Sequence, residues 1–138
     1  MQGNVQAVDA VVARTFATLP ALLEAAPRLI ARAQLLDVDC WLGPVEQPFL
    51  AAIRRGRIVE MTVPSRPMPS WRFGYTATAG AWRAYWETEP KAGWHDLLAL
   101  TKRGEATLSG DLHPFLCHLQ YFKDLLALPR ARMPGGAA

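Results

Sequence analysis

The sequence predicts an α+β fold: a mainly antiparallel sheet of about five strands, covered on one face by helices and preceded by a helical segment. Three observations carry this. Helical periodicity fills the chain's start and returns after residue 78. Strand-type alternation is grouped between them. One short strand then separates the last two helices.

Val5, Val8, Val12, Phe16 and Leu19 recur at helical intervals and predict a helix over roughly residues 5 to 18. Pro20 and Pro27 each stand where a proline opens a helical turn, so residues 5–36 read as a proline-partitioned helical segment. Val38, Cys40 and Leu42 then alternate with Asp37, Asp39 and Trp41 until Gly43-Pro44, which is expected to stop the strand. Phe49 to Ile53 and Ile58 to Val63 are two further strands, and the Arg54-Arg55-Gly56-Arg57 link predicts a tight or bulged hairpin. Pro64, Pro67 and Pro69 make the next stretch a loop. A fourth strand follows, with Trp71, Phe73, Tyr75 and Ala77 on one face.

Thr78 can cap a helix over roughly 79–89, with Trp82 above Trp86 and Arg83 above Glu87 at i,i+4, and Pro90 ends it. Trp94, Leu97, Leu98 and Thr101 line one face of a helix reaching Arg103. Gly104 suits the position past its end. Glu105 to Ser109 has room for one strand, Gly110 turns the chain, and Asp111 sits where an N-cap belongs. Leu112, Phe115, Leu116, Leu119, Phe122 and Leu126 then share one face of a last helix, with His113, Cys117, Gln120 and Asp124 opposite. Burying such side chains contributes about 1.5 to 3 kcal/mol each, so this helix must dock on a sheet, a partner or a ligand. The expected organisation is one domain over residues 1–138: the helical segment 5–36, a sheet-plus-helix core at 37–129, and a fraying tail at 130–138.

Composition narrows the class. The chain has 138 residues, 51% hydrophobic and 20% charged, which describes an ordinary soluble protein. No apolar run reaches the roughly 18 to 20 residues that cross a bilayer. The first residues lack a basic region followed by an unbroken apolar core, so no signal peptide is expected and the localisation expected is cytoplasmic. Without a secretory signal, Cys40 and Cys117 are expected to stay reduced. A net charge of +3 does not by itself argue for nucleic acid. Arg54, Arg55, Arg57 and Arg66 cluster near the hairpin and the proline loop. They suit solvated hairpin ends, or peripheral attraction to anionic headgroups or an acidic partner.

Reactive constellations are lacking. His113 and His118 are five apart, about 140° around a helix, and cannot share a metal as i,i+4 pairs do. His95 and Asp96 are adjacent and do not face each other on a helix. Ser65, Ser70 and Ser109 have no Gly-x-Ser-x-Gly setting, and no Gly-rich loop joins a strand to a helix in a phosphate-binding manner. Neither catalytic residues, nor a metal, nor a cofactor is expected.

The order of elements resembles the sterol carrier protein type two family. A hairpin with glycine in its turn (Arg57 to Val63 being its second strand) precedes a strand leading into a Trp-bearing helix (Tyr75 to Trp86). Then come a helix ending in glycine, a short strand, Gly-Asp (Gly104 to Asp111) and a last amphipathic helix. The resemblance covers roughly residues 35–128 and implies an apolar tunnel between sheet and helices that holds fatty acyl chains, sterols or other lipids. Periodicity alone leaves a filled core and a tunnel both open. With the resemblance, the lining residues expected are Phe73, Tyr75, Trp82, Trp86, Leu97, Leu98, Leu116, Leu119 and Phe122. The function expected is a non-catalytic carrier of an apolar small molecule. A second reading is an accessory subunit that binds an enzyme and helps it fold or receive apolar substrate; the helices of 5–36 are the surface expected for an enzyme partner or a homodimer.

Overall fold

In the computed structural model, residues 2–64 and 70–132 are described, with side chains over 10–64 and 70–130. The expected loop at 64–69 and the expected tail at 130–138 therefore fall mostly outside the described residues. Helix α1 (Gln2–Ala17) is followed by α2 (Leu19–Glu24) and α3 (Pro27–Ala31), each of the latter two with proline in its first turn. Strands β1 (Asp37–Pro44), β2 (Phe49–Arg54), β3 (Arg57–Thr62) and β4 (Phe73–Ala77) come next. After them stand α4 (Ala79–Tyr85), α5 (Leu97–Lys102), β5 (Ala106–Gly110), α6 (His113–Cys117) and α7 (Leu119–Leu126), and a 3-10 turn covers Leu128–Arg132.

The five strands form one open sheet in the order β3-β2-β1-β4-β5. Three pairings are antiparallel, and the fourth, β1 with β4, is parallel. The sheet is thus mixed. Gly43-Pro44 does not stop β1, because Gly43 pairs with Thr76 and Pro44 with Ala77. Arg55 and Gly56 close the β2–β3 hairpin with φ of 52° and 78°, the two positive values that match the twist of a tight hairpin. Gly56 has no alternative there: an added Cβ would lie 2.8 Å from the Ala33 carbonyl oxygen.

Side chains alternate as a half-buried sheet requires. Val38, Cys40, Leu42, Ala51, Ile53, Ile58, Phe73, Tyr75 and Ala77 are buried beneath the helices. On the opposite face Trp41 stacks with Trp71, ring centroids 6.4 Å apart; Trp71 precedes β4 and so does not share the face of Phe73 and Tyr75 expected of it. Gly74, beneath Trp41, leaves room for it: a Cβ there would meet the Trp41 Cβ at 3.2 Å. The buried residues form one contiguous core that takes in Val12, Phe16, Leu19 and Leu23 of α1 and α2.

Several expected boundaries move. The helix expected over 79–89 ends at Tyr85 with Trp86 as its cap, so Glu87 lies beyond it. The next helix begins at Leu97 instead of Trp94, because Asp96 caps it and accepts from the Leu98 N–H at 2.8 Å. Asp111 accepts from the His113 N–H at 3.1 Å and so does the capping expected of it, although the helix is entered one residue later.

The largest correction concerns the last helix, which is two helices. His118, at φ −120° and ψ 34°, separates α6 from α7. The continuous apolar stripe is therefore broken. Phe115, Phe122 and Leu126 are buried as expected, but Leu112 and Leu116 face solvent, and Tyr121 and Leu125 are buried in their place. At 51% exposure Leu116 stands apart from the other expected lining residues.

Candidate functional site

Between the sheet and the helices lies a cluster of aromatic rings. The strand period sends Phe73 and Tyr75 inward from β4, and α4 sets Trp82 against Tyr75, with Trp86 at its cap beside Trp82. Phe73 meets Phe122 edge to face at 5.2 Å and Phe115 at 5.5 Å. Tyr75 stacks on Phe115 at 5.9 Å and meets Trp82 at 5.8 Å, and Trp82 stacks on Trp86 at 5.7 Å. Phe16 of α1 closes the cluster, its ring 4.8 Å from that of Trp82. With these spacings the rings touch one another and occupy the interior.

Of the nine residues expected to line a ligand site, Phe73, Tyr75, Trp82, Trp86, Leu97 and Phe122 are fully buried. Leu98 and Leu119 are partly buried and pack against the core. Leu116 is not brought to the group. Phe16 and Phe115 join it instead. Phe115 was readable from the strong apolar face of the last helix, and Phe16 from its i+4 spacing to Val12.

Polar atoms within the cluster follow one rule with one exception. Tyr75 donates its hydroxyl to the Leu97 carbonyl at 2.6 Å, Tyr85 to Lys123 at 2.8 Å, Tyr121 to Gly56 at 2.7 Å, and the Trp86 indole N–H to Leu126 at 2.7 Å. The Trp82 Nε1 is buried with no partner among the described residues. Buried donors are nearly always paired, and an unpaired one costs about 1 to 3 kcal/mol. His118 Nδ1, at the α6–α7 break, is the other such atom.

Burial and neighbouring groups shift the titrating side chains here. Burial above all pushes the Tyr75 phenol upward, with Tyr85 and Asp96 adding to it, so it stays a neutral donor. Burial likewise raises the Cys40 thiol, with Asp39 reinforcing the effect, leaving it inert. Partial burial pulls the Asp96 carboxyl upward. The Leu98 N–H and Lys123, 3.4 Å from Oδ2, outweigh it and leave the group below the usual carboxylate range. Cys117 and His113 meet on the surface, Sγ 3.3 Å from Nε2, on the face where both were expected. Among the described residues no group of three or more His, Cys, Asp or Glu is placed to hold a metal, and no helix is long and apolar enough to cross a membrane.

Among the described residues, hollows open on the surface at two places. One of about 490 Å³ is lined by Asp37, Val38, Asp39, Arg54, Ser70, Trp71 and Arg72. Both of its arginines are already paired: Arg54 with Asp39 at 2.9 Å, and Arg72 with Asp111 at 3.1 Å. The other, of about 330 Å³, lies beside the hairpin turn between Leu35, Arg55 and Arg57.

No family model and no curated protein matches this sequence. Solved structures do. A protein described as "UbiJ-SCP2 Ubiquinone synthesis protein" is similar at 20% identity and a TM-score of 0.54, over 91% of this chain and 94% of that one. A crystal structure of sterol carrier protein 2 is similar at 16% identity and a TM-score of 0.54, over 80% and 94%. The solution structure of a Thermus thermophilus protein described as "possibly sterol carrier protein" is similar at 12% identity and the same TM-score, over 80% and 82%. At such identities the likeness is one of fold.

Proposed function

From the premise that this chain has the sterol carrier protein type two fold, we propose that it is a non-catalytic binding module for an apolar small molecule bearing an oxygen acceptor. The class includes a fatty acyl chain, a long-chain alcohol, a sterol or a similar lipid, taken up between the sheet and the helices. The observation that carries this reading is the Trp82 indole N–H, buried among aromatic rings with no acceptor among the described residues. Ligand sites are mostly apolar with a few placed polar groups, and a carbonyl, carboxyl or hydroxyl oxygen would complete the one buried indole donor left unpaired among the described residues.

The rings touch one another, so uptake requires them to part. Helix α6 is the element that yields: of its five residues only Phe115 is buried, and withdrawing that one ring exposes Phe73, Tyr75 and Phe122. Phe73, Tyr75, Trp82, Trp86, Leu97, Leu98, Leu119 and Phe122 then line the site. Leu116 lines it only as α6 moves.

Native mass spectrometry against fatty acids, acyl-CoAs, long-chain alcohols and steroids tests the reading. Binding is expected below ~100 µM, about −5.5 kcal/mol. Replacing Trp82 with Phe should weaken oxygen-bearing ligands about tenfold, while leaving hydrocarbon probes unchanged. A panel in which nothing apolar binds would overturn the proposal.

A second reading is an accessory role toward an enzyme. It is favoured by the likeness, over nearly all of both chains, to a structure described as a ubiquinone synthesis protein. Co-purification of an enzyme from the native host, lost when the helical segment 5–36 is altered, is the expected sign.

A further inference from the structure

Leu35 has the most exposed large apolar side chain among the described residues, at 96%. It ends the turn between α3 and β1, and its neighbour Leu36 is buried, so of two consecutive leucines one anchors the turn and the other projects from it. The β2–β3 turn lies alongside. The Gly56 N–H donates to the Leu36 carbonyl at 3.2 Å, and the Arg55 N–H to Asp37 Oδ1 at 2.8 Å. Tyr121 holds the Gly56 carbonyl from behind. The two turns therefore form one fixed tip, and the hollow of about 330 Å³ between them is lined by Ile30, Gln34, Leu35, Arg55 and Arg57.

The charges at this tip are available. The Arg55 side chain makes no hydrogen bond or ion pair among the described residues. Arg57 pairs with Glu24, yet both side chains are half exposed, and such pairs exchange partners at little cost. Asp37 is turned onto the Arg55 backbone.

We propose that this two-turn tip docks on an anionic phospholipid surface, with Leu35 entering the acyl boundary and Arg55 and Arg57 on headgroup phosphates. A protein partner would need an apolar core of many residues, usually with aromatic anchors. One aliphatic side chain ringed by arginines offers none. It does suit a bilayer interface, where a single apolar group inserts and long cationic side chains reach the phosphates above it. Guanidinium forks match phosphate oxygens in pairs. The tip acts in this way whether or not the interior takes a ligand.

Sedimentation with vesicles tests it. The protein should bind vesicles of phosphatidylcholine mixed with phosphatidylglycerol, and far less those of phosphatidylcholine alone. Binding should weaken as salt shortens the screening length from about 10 Å at 0.1 M to about 3 Å at 1 M. Leu35→Asp and Arg55→Glu should each lower partitioning about tenfold, whereas Val45→Asp, at an exposed apolar site elsewhere, should not. All three positions are exposed, and thermal melts confirm that each variant folds. Equal binding by the parent protein and Leu35→Asp would overturn the proposal. A parent protein that ignores both vesicles but is retained by polyglutamate would overturn it too, and assign the tip to an acidic polypeptide instead.

Discussion

Tyr121 donates its hydroxyl to the carbonyl of Gly56 at 2.7 Å, across 65 residues of sequence. One bond thus ties α7 to the β2–β3 turn. Tyr121→Phe leaves that carbonyl buried and unpaired and should cost about 1 to 3 kcal/mol in urea melts.

The turn itself gives a sharper comparison. Gly56 and Gly104 share a φ of 78°, but only at Gly56 would a Cβ collide, 2.8 Å from the Ala33 carbonyl oxygen; at Gly104 nothing lies within 4 Å. Gly104→Ala should cost about 1 to 2 kcal/mol for the backbone alone, and Gly56→Ala clearly more. Equal melts for the two would mean that the turn and α3 are not packed together.

Trp82 and Trp86 are both fully buried, and only Trp86 has an acceptor, the Leu126 carbonyl. Exchanging either for Phe removes the same volume. Trp86→Phe also strands a carbonyl, so it should be the costlier by about 1 to 3 kcal/mol. Ligand-free denaturation curves of the two variants measure that difference directly.

The break at His118 separates the fates of two apolar residues. Phe122→Ala should cost about 3 to 5 kcal/mol, while Leu116→Ala should stay within about 0.5 kcal/mol. Leu116→Trp should be accepted without strain. A Leu116→Ala variant as unstable as Phe122→Ala would mean that the last helix is continuous after all.

Acid should destabilise the protein partly through two carboxyls. The His113 N–H and Arg72 lower Asp111, and Asp96 is lowered net of its burial. A carboxyl depressed on folding contributes stability that is present above its ordinary value, here 3.8, and lost as pH falls through the folded value. Stability should therefore fall below about pH 4, and Asp96→Asn should lessen that fall in melts run against pH.

The sheet and its buried face were legible because period-2 alternation marks both existence and facing: Val38, Cys40 and Leu42 lie inward, as do Phe73, Tyr75 and Ala77. The parallel β1–β4 pairing was not, since registry between strands apart in sequence leaves no local trace, and it is this pairing that carries β1 through Gly43-Pro44. The last helix misled for a related reason. Neither glycine nor proline stands at His118, so periodicity ran on through a break and assigned Leu116 to the wrong side. In the candidate site, aromatic spacing identified Trp82 and Trp86, but whether an indole N–H meets an acceptor depends on tertiary geometry alone. Leu35 is intermediate: Leu35-Leu36 could not both be buried in one turn, although nothing in the sequence says which projects.

The parallel contact between β1 and β4 also bears on how the chain reaches its native state. The β2–β3 hairpin closes through two residues, and β1 joins it across a short turn, so these three strands can form early from local contacts. Cys40 and Phe73 pair only after the chain between them has closed, a non-local step with a larger entropic cost. Strand β4 should therefore dock on a preformed three-stranded meander, bringing α4 with Trp82, and Trp86 at its cap, along with it. Indole fluorescence in refolding should then report this late event, with conservative truncations at Ile53 slowing folding and those at Ala77 chiefly speeding unfolding.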